Sequence, residues 1–159
     1  MSKTVVGAFD NHDSADKVVK ELEQRGVPNK QISVVAKEDG KTEKGHPNGH
    51  GTHDLSNGIG WGAAGGGAVG LLASAGALAI PGVGPILAMG PLAATLTGAA
   101  TGGLVGGLMD YGIPKRESEH LEESVKQGGV LVSVHADSGE VDKAKKLFEE
   151  HGAHHIYVH

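Results

Sequence analysis

Glycine recurs at every fourth position along two apolar stretches of this chain. Because four residues are close to one helical turn, this spacing places the small residues in a stripe along one side of a helix. A stripe without side chains lets two helix backbones approach closely. A glycine in a water-exposed helix costs about 1 kcal/mol relative to alanine, so the pattern indicates tightly packed helices. The positions predicted to pack are Gly58, Gly62, Gly66, Gly70, Ser74, Gly90, Ala94, Gly98, Gly102 and Gly106.

Composition excludes several classes of function. The formal net charge is -5 and the cationic residues are interspersed with acidic ones, so the basic face needed for a nucleic-acid partner is missing. The absence of cysteine removes disulfides, thiolate zinc sites and cysteine nucleophiles. The first ten residues have no apolar core of signal-peptide length, which predicts a chain that starts in the cytoplasm.

The two ends of the chain follow the same plan. Each has a β-branched run, an amphipathic helix and a second run, and KELEQRG ending at Gly26 parallels KLFEEHG ending at Gly152. Two βαβ units predict an α+β fold, a ferredoxin-like βαβ-βαβ sandwich whose antiparallel sheet carries two helices on one face. The predicted strands are residues 4–9, 32–36, 130–134 and 155–158.

A long segment of different composition separates these halves. We divide the chain into a first βαβ half, residues 1–37, and a flexible His/Gly-rich loop, residues 38–57. A glycine-zipper helical hairpin at 58–109 follows, then a charged connecting helix at 110–128 and the second βαβ half at 129–159.

The predicted hairpin consists of two apolar helices, residues 58–80 and 86–109, on either side of the turn sequence PGVGP. Between Leu55 and Met109 the chain carries no charged residue. Each stretch is close to the roughly 20 residues that cross a bilayer as a helix, and Lys115 and Arg116 follow the second one as a cytoplasmic flank would. However, Gly and Ala contribute little transfer free energy.

Two interpretations therefore remain open. In the first, the hairpin associates with a membrane and drives homo-oligomerisation, with the ferredoxin-like domain on the cytoplasmic side. In the second, a cytoplasmic protein buries the same hairpin between subunits of a self-assembling oligomer or filament. Both make a second copy of the chain the partner, and the first adds a lipid bilayer.

The VVGAF strand with its charged helix, the Gly/Ala segment centred on IPGVGP, and GIPKRESEHLEESVKQGGVLVSV occur together in this chain. In this combination they resemble the bacterial heat-induced or general stress protein family and its low-temperature-induced relatives. The resemblance covers essentially the whole chain and is most specific at residues 79–91 and 112–134. It implies a stress-response protein and brings no established active site with it.

Candidate catalytic and metal-binding motifs are weak. The acidic residues of 115–127 alternate with Lys115, Arg116 and Lys126, which is typical of a solvated helix with i,i+4 pairs, so we predict no catalytic residues and no enzyme. No cofactor-binding residue is predicted either, because the Gly-rich segment lacks the strand and acidic residue of a dinucleotide site. A His-rich loop can bind Zn, Cu or Ni, which gives a third interpretation, a metal-binding module. Its candidate ligands are His46, His50 and His53.

Overall fold

The computed structural model of the protein describes residues 1–37, 76–80, 84–97 and 103–159. Its strands are β1 (Ser2–Phe9), β2 (Ile32–Lys37), β3 (Gly76–Ile80), β4 (Gly84–Met89), β5 (Val130–Asp137) and β6 (His154–Val158). Its helices are α1 (His12–Gln24), α2 (Pro91–Thr97), α3 (Gly103–Asp110), α4 (Lys115–Lys126) and α5 (Val141–Glu150). A short 3₁₀ turn, Asn29–Gln31, precedes β2. The α+β class predicted from the sequence is confirmed.

The strands form one sheet of order β3-β4-β2-β5-β1-β6, and every neighbouring pair is antiparallel. Strand β5 lies between the two strands of the N-terminal half, and its residues pair with β1 from Ser2↔Asp137 to Phe9↔Val130. On its other side β5 pairs with β2, with Ser33 directly opposite Ser133. The two halves of the chain are therefore joined through the backbone of β5.

Helices α1 and α5 cover one face of this sheet, where they form what we call the first core. Asn11 caps α1, since its side-chain oxygen accepts a hydrogen bond of 2.8 Å from the Ser14 N–H. The apolar stripe of α1 and the matching stripe of α5 are buried against alternate residues of the strands. Within this core the Phe9 and Phe148 rings meet edge to face at 5.4 Å.

The opposite face of the sheet is covered too, by α2, α3 and α4, and we call this layer the second core. Helices were predicted from the sequence on one face only, and that prediction is wrong. Consecutive residues of a strand point to opposite faces, and both Val5 and Val6 are fully buried, as are Leu131 and Val132. Apolar side chains on both faces require cover on both.

The segment between the two halves also differs from the predicted pair of long helices. Residues 76–80 form a strand rather than the end of the first helix, and the described residues of the predicted second helix belong to β4, α2 and α3. Pairing with β2 explains the change, because it satisfies the backbone of β4 and buries its side chains alternately. Leu87 enters the first core, whereas Ile86 and Ala88 enter the second. The rest of the predicted first helix and the His-rich loop lie outside the described residues.

Gly90 forms the tight junction between β4 and α2. Its φ is +94°, and an added Cβ would collide with the Ile32 carbonyl oxygen and lie 2.7 Å from the Ser33 Cα. The buried Ser33 Oγ accepts a hydrogen bond of 3.1 Å from the Leu92 N–H. This close approach holds the start of α2 against β2.

We expect Gly90→Ala to destabilise the fold more than Gly26→Ala. Gly26 has a similar φ of +89° but no atom within 4 Å of an added Cβ, so alanine there costs about 1 kcal/mol from backbone strain alone. At Gly90 the collision with β2 adds to the same strain, for about 2–4 kcal/mol in total. Urea unfolding of both variants measures the difference, and equal midpoints would contradict the close packing of α2 on β2.

Candidate functional site

The structure describes three of the residues predicted to pack helices, and each has a different setting. Gly90 lies before α2 rather than inside a helix, Ala94 is exposed on α2, and Gly106 lies in α3. The other predicted positions lie outside the described residues. They are Gly58, Gly62, Gly66, Gly70, Ser74, Gly98 and Gly102.

Contacts within the described part of the chain do not explain why residue 106 is a glycine. Its backbone lacks the positive φ that favours glycine, and no described heavy atom lies within 4 Å of an added Cβ. Val105 beside it is half-buried, and Met109, one turn further, is 45% exposed. We call Val105, Gly106 and Met109 the α3 surface. It is an uncharged strip with a glycine at its centre.

The buried side of α3 fixes this surface in place. Leu104 and Leu108 are fully buried in the second core. Glu122 of α4 accepts a hydrogen bond of 3.2 Å from the Val105 N–H, which satisfies one of the open donors in the first turn of α3. The same carboxylate lies 2.9 Å from the Lys126 Nζ and raises the pKa of that lysine through the hydrogen bond.

The acidic residues of α4 thus have a role that the sequence analysis missed. The predicted i,i+4 pairs are present, with Lys115 4.0 Å from Glu119 as the second example. Glu122 additionally reaches across to another helix, 17 residues away in sequence. The sequence signal was an acidic residue on a charged helix that follows an apolar segment.

Histidines at the C-terminus make separate contacts rather than one cluster. His154 Nε2 lies 2.9 Å from the Asp10 carboxylate, and His155 stacks on His120 of α4 with ring centroids 4.7 Å apart. Among the residues that the structure describes, no group of three or more His, Asp or Glu side chains could hold a metal ion. His46, His50 and His53, the predicted metal ligands, lie outside the described residues.

One carboxylate joins the ends of the two helices on the first face. Glu21 accepts a hydrogen bond of 2.6 Å from Arg25 Nη2, and its second oxygen lies 3.0 Å from His151 Nε2. Arg25 and His151 occupy equivalent positions in the parallel sequences KELEQRG and KLFEEHG. The hydrogen bonds from His151 and then Arg25 lower the pKa of Glu21.

We expect Glu21→Gln to destabilise the protein at neutral pH and to lose this effect in acid. A lowered carboxylate pKa contributes stability above the ordinary value of 4.5, and this contribution disappears as the pH falls through the folded-state pKa. Urea unfolding at pH 7 and at about pH 3 tests this. Glu149→Gln is the control, because its ion pair with Lys145 is an exposed one of 4.0 Å. A difference between wild type and Glu21→Gln that persists in acid would contradict the interpretation.

The His120–His155 stack predicts a second effect of pH on stability. Here the surroundings disfavour the charged form of the side chain, whereas around Glu21 they favour it. Burial lowers the pKa of His155, and the neighbouring His120 and His154 lower it further. The unfolded chain then binds more protons between the two pKa values, so stability is lost as the pH falls below about 6.5. Histidine proton shifts in an NMR titration should show His120→Gln moving the pKa of His155 upwards. No movement would show that His120 does not act on it.

No helix in the described part of the chain has the length and apolar character to cross a bilayer.

Comparison with known families assigns most of the chain. Residues 57–158 match the family model described as a protein of unknown function, DUF1269, and residues 4–76 match that of the heat-induced stress protein YflT domain. No curated protein and no solved structure matches the chain. The resemblance to bacterial stress proteins noted in the sequence is thereby confirmed. Since the first match extends over more than half of its length, the chain belongs to the DUF1269 family, and its N-terminal part is similar to the heat-induced stress protein YflT domain.

Proposed function

We propose that this stress protein acts without catalysis, by self-association, and that the α3 surface is one of its contacts. The observation that supports this is Gly106. A glycine inside a helix costs about 1 kcal/mol relative to alanine, and neither backbone conformation nor a described neighbour explains it. A second copy of the chain whose backbone approaches the α3 backbone closely would explain a glycine at this position, because a side chain there would prevent the approach.

The described half of the predicted hairpin favours association between folded domains over membrane insertion. Apolar side chains of residues 86–108 are already buried against the sheet, among them Ile86, Leu92, Leu104 and Leu108. Entering a bilayer would remove these side chains from the second core and expose to water the strand residues that they cover, such as Val6 and Leu131, with a loss of about 1.5–3 kcal/mol for each large one. The α3 surface, which is partly exposed on the folded domain, requires no such rearrangement.

We also propose that the two chain ends form the ferredoxin-like unit expected from the sequence. The order β2-β5-β1-β6 within the sheet supports it, as do α1 and α5 packed together on the first face. The strands β3 and β4 then extend this unit beyond β2. Helices α2 to α4 cover the face that the simpler sandwich leaves open.

The test compares two glycines that both have room for a side chain. We expect Gly106→Leu to weaken self-association by about tenfold or more, because leucine holds the backbones apart. Gly139→Leu is the matched control: no atom of the described residues lies within 4 Å of an added Cβ there either, but Gly139 precedes α5, away from the α3 surface. Sedimentation velocity over a concentration series measures association, and far-UV circular dichroism checks that both variants fold.

Two results would overturn the proposal. One is a wild-type protein that stays monomeric at every concentration, and the other is an equal effect of the two leucine variants. Fractionation of cells separates the membrane alternative: recovery of the wild type in a carbonate-resistant, detergent-extractable pellet would favour insertion of the glycine-rich hairpin. Recovery in the supernatant as an oligomer that Gly106→Leu dissociates supports self-association between folded domains.

A further inference from the structure

A cavity of about 170 Å³ opens between the end of α1, the end of β5 and the start of α5. It is a notch in the first core, and it remains open where two small residues, Ala136 and Ala144, stand in place of larger side chains. Three charged residues and six apolar residues line it. The apolar lining is Leu22, Val27, Val134, Ala136, Ala144 and Leu147.

The size and lining of the cavity determine how large and how apolar the buried part of a ligand can be. A closed apolar cavity of about 150 Å³ admits a molecule the size of benzene, so this one has room for about six carbon atoms. Its walls offer no side-chain hydrogen-bonding group apart from three charged residues. A charged group inside the notch would lose its hydration without a partner, which requires the polar part of any ligand to remain near those three residues.

The charged residues carry both signs. Arg25, at the end of α1, and Lys143, in the first turn of α5, are cations, and Glu140 immediately before α5 is an anion. All three are exposed. Arg25 uses one guanidinium nitrogen on Glu21 and retains further N–H donors.

Glu140 and Lys143 are three positions apart in sequence, yet they do not pair with each other. Within the described part of the chain, no ion pair within 4.0 Å involves either one. A carboxylate and an ammonium group are thus both present beside one apolar notch, each without a charged partner. The N-terminal end of α5, which begins directly after Glu140, carries a partial positive charge near both of these residues.

From this arrangement we propose that the cavity binds a small zwitterion with a short aliphatic body, the chemistry of a free aliphatic α-amino acid. The aliphatic side chain fills the notch between Ala136 and Ala144. The carboxylate is bound by Lys143 and Arg25, and the ammonium group by Glu140, through charge-assisted hydrogen bonds. The site does not depend on self-association, because none of its residues belongs to the α3 surface.

The first experiment titrates the full-length protein with three probes of nearly the same shape, followed by ¹H–¹⁵N NMR. They are L-leucine, 4-methylpentanoate, which lacks the ammonium group, and 3-methylbutylamine, which lacks the carboxylate. We expect saturable shifts at the amides of the lining residues, with leucine binding about tenfold more tightly than either analogue. Absence of saturable shifts, or equal binding of leucine and 4-methylpentanoate, would overturn the proposal.

The second experiment uses matched variants. Lys143→Gln should weaken leucine binding about tenfold, whereas Lys146→Gln, the same change one turn further along α5 and outside the cavity lining, should leave it unchanged. Ala144→Leu should fill the notch and abolish binding while the melting temperature stays equal or rises. Equal weakening by the two lysine variants would show that surface charge, not the cavity, is responsible.

A final control separates this site from the proposed function. Gly106→Leu should dissociate the oligomer and bind leucine as the wild type does. Loss of leucine binding in that variant would place the ligand at a subunit contact and overturn the cavity assignment. Failure of self-association alone leaves the leucine titration as an independent result.

Discussion

Burial of both faces of the central strands is the constraint on which the rest of this fold depends. Neighbouring residues such as Val34 and Val35, which point to opposite faces, are both fully buried. Neither face of such a sheet can be left exposed to water, since each large apolar side chain left exposed costs about 1.5–3 kcal/mol. The two ends of the chain provide one cover, α1 and α5. The segment between them provides the other, so the insertion is part of the fold rather than an appendage to it.

The sequence was sufficient to predict the two ends of the chain. Their strands are β-branched runs, and the helix after β1 has an apolar stripe at Ala15, Val18, Val19 and Leu22 that is buried as the spacing indicates. The same runs also contained the missed signal. The run VLVSV, residues 130–134, is apolar apart from Ser133 and does not alternate, which is typical of strands covered on both faces.

The central segment was predicted less well, for a physical reason. Short apolar runs such as those of residues 76–80 and 84–89 do not distinguish helix from strand. The strand conformation of residues 84–89 instead depends on pairing with β2, which lies far away in sequence, at the edge of β2 that β5 does not occupy. A four-residue spacing of glycine is no better guide. Gly90 and Gly106 belong to the same repeat, but one turns the chain against β2 and the other lies open on a helix.

The contacts around Glu21 and Glu122 show which part of the site geometry could not be predicted from the sequence. Each acid has a lysine or arginine four residues away, which the sequence displays directly. Each also binds a group from another element, and that second partner follows from the packing of helices rather than from spacing.

The outer strand β6 has a consequence for how copies of the molecule can meet. Its pairing with β1 slips between Val6 and Ala8, and His155 adopts a left-handed backbone with φ of +52°. Edge strands with such irregularities, carrying polar side chains like His154 and His155, are poor templates for a further strand. Edge-to-edge pairing of sheets from different copies, which leads to fibres, is therefore unfavourable at β6. The self-association proposed above uses the α3 surface and therefore needs no strand pairing at this edge of the sheet.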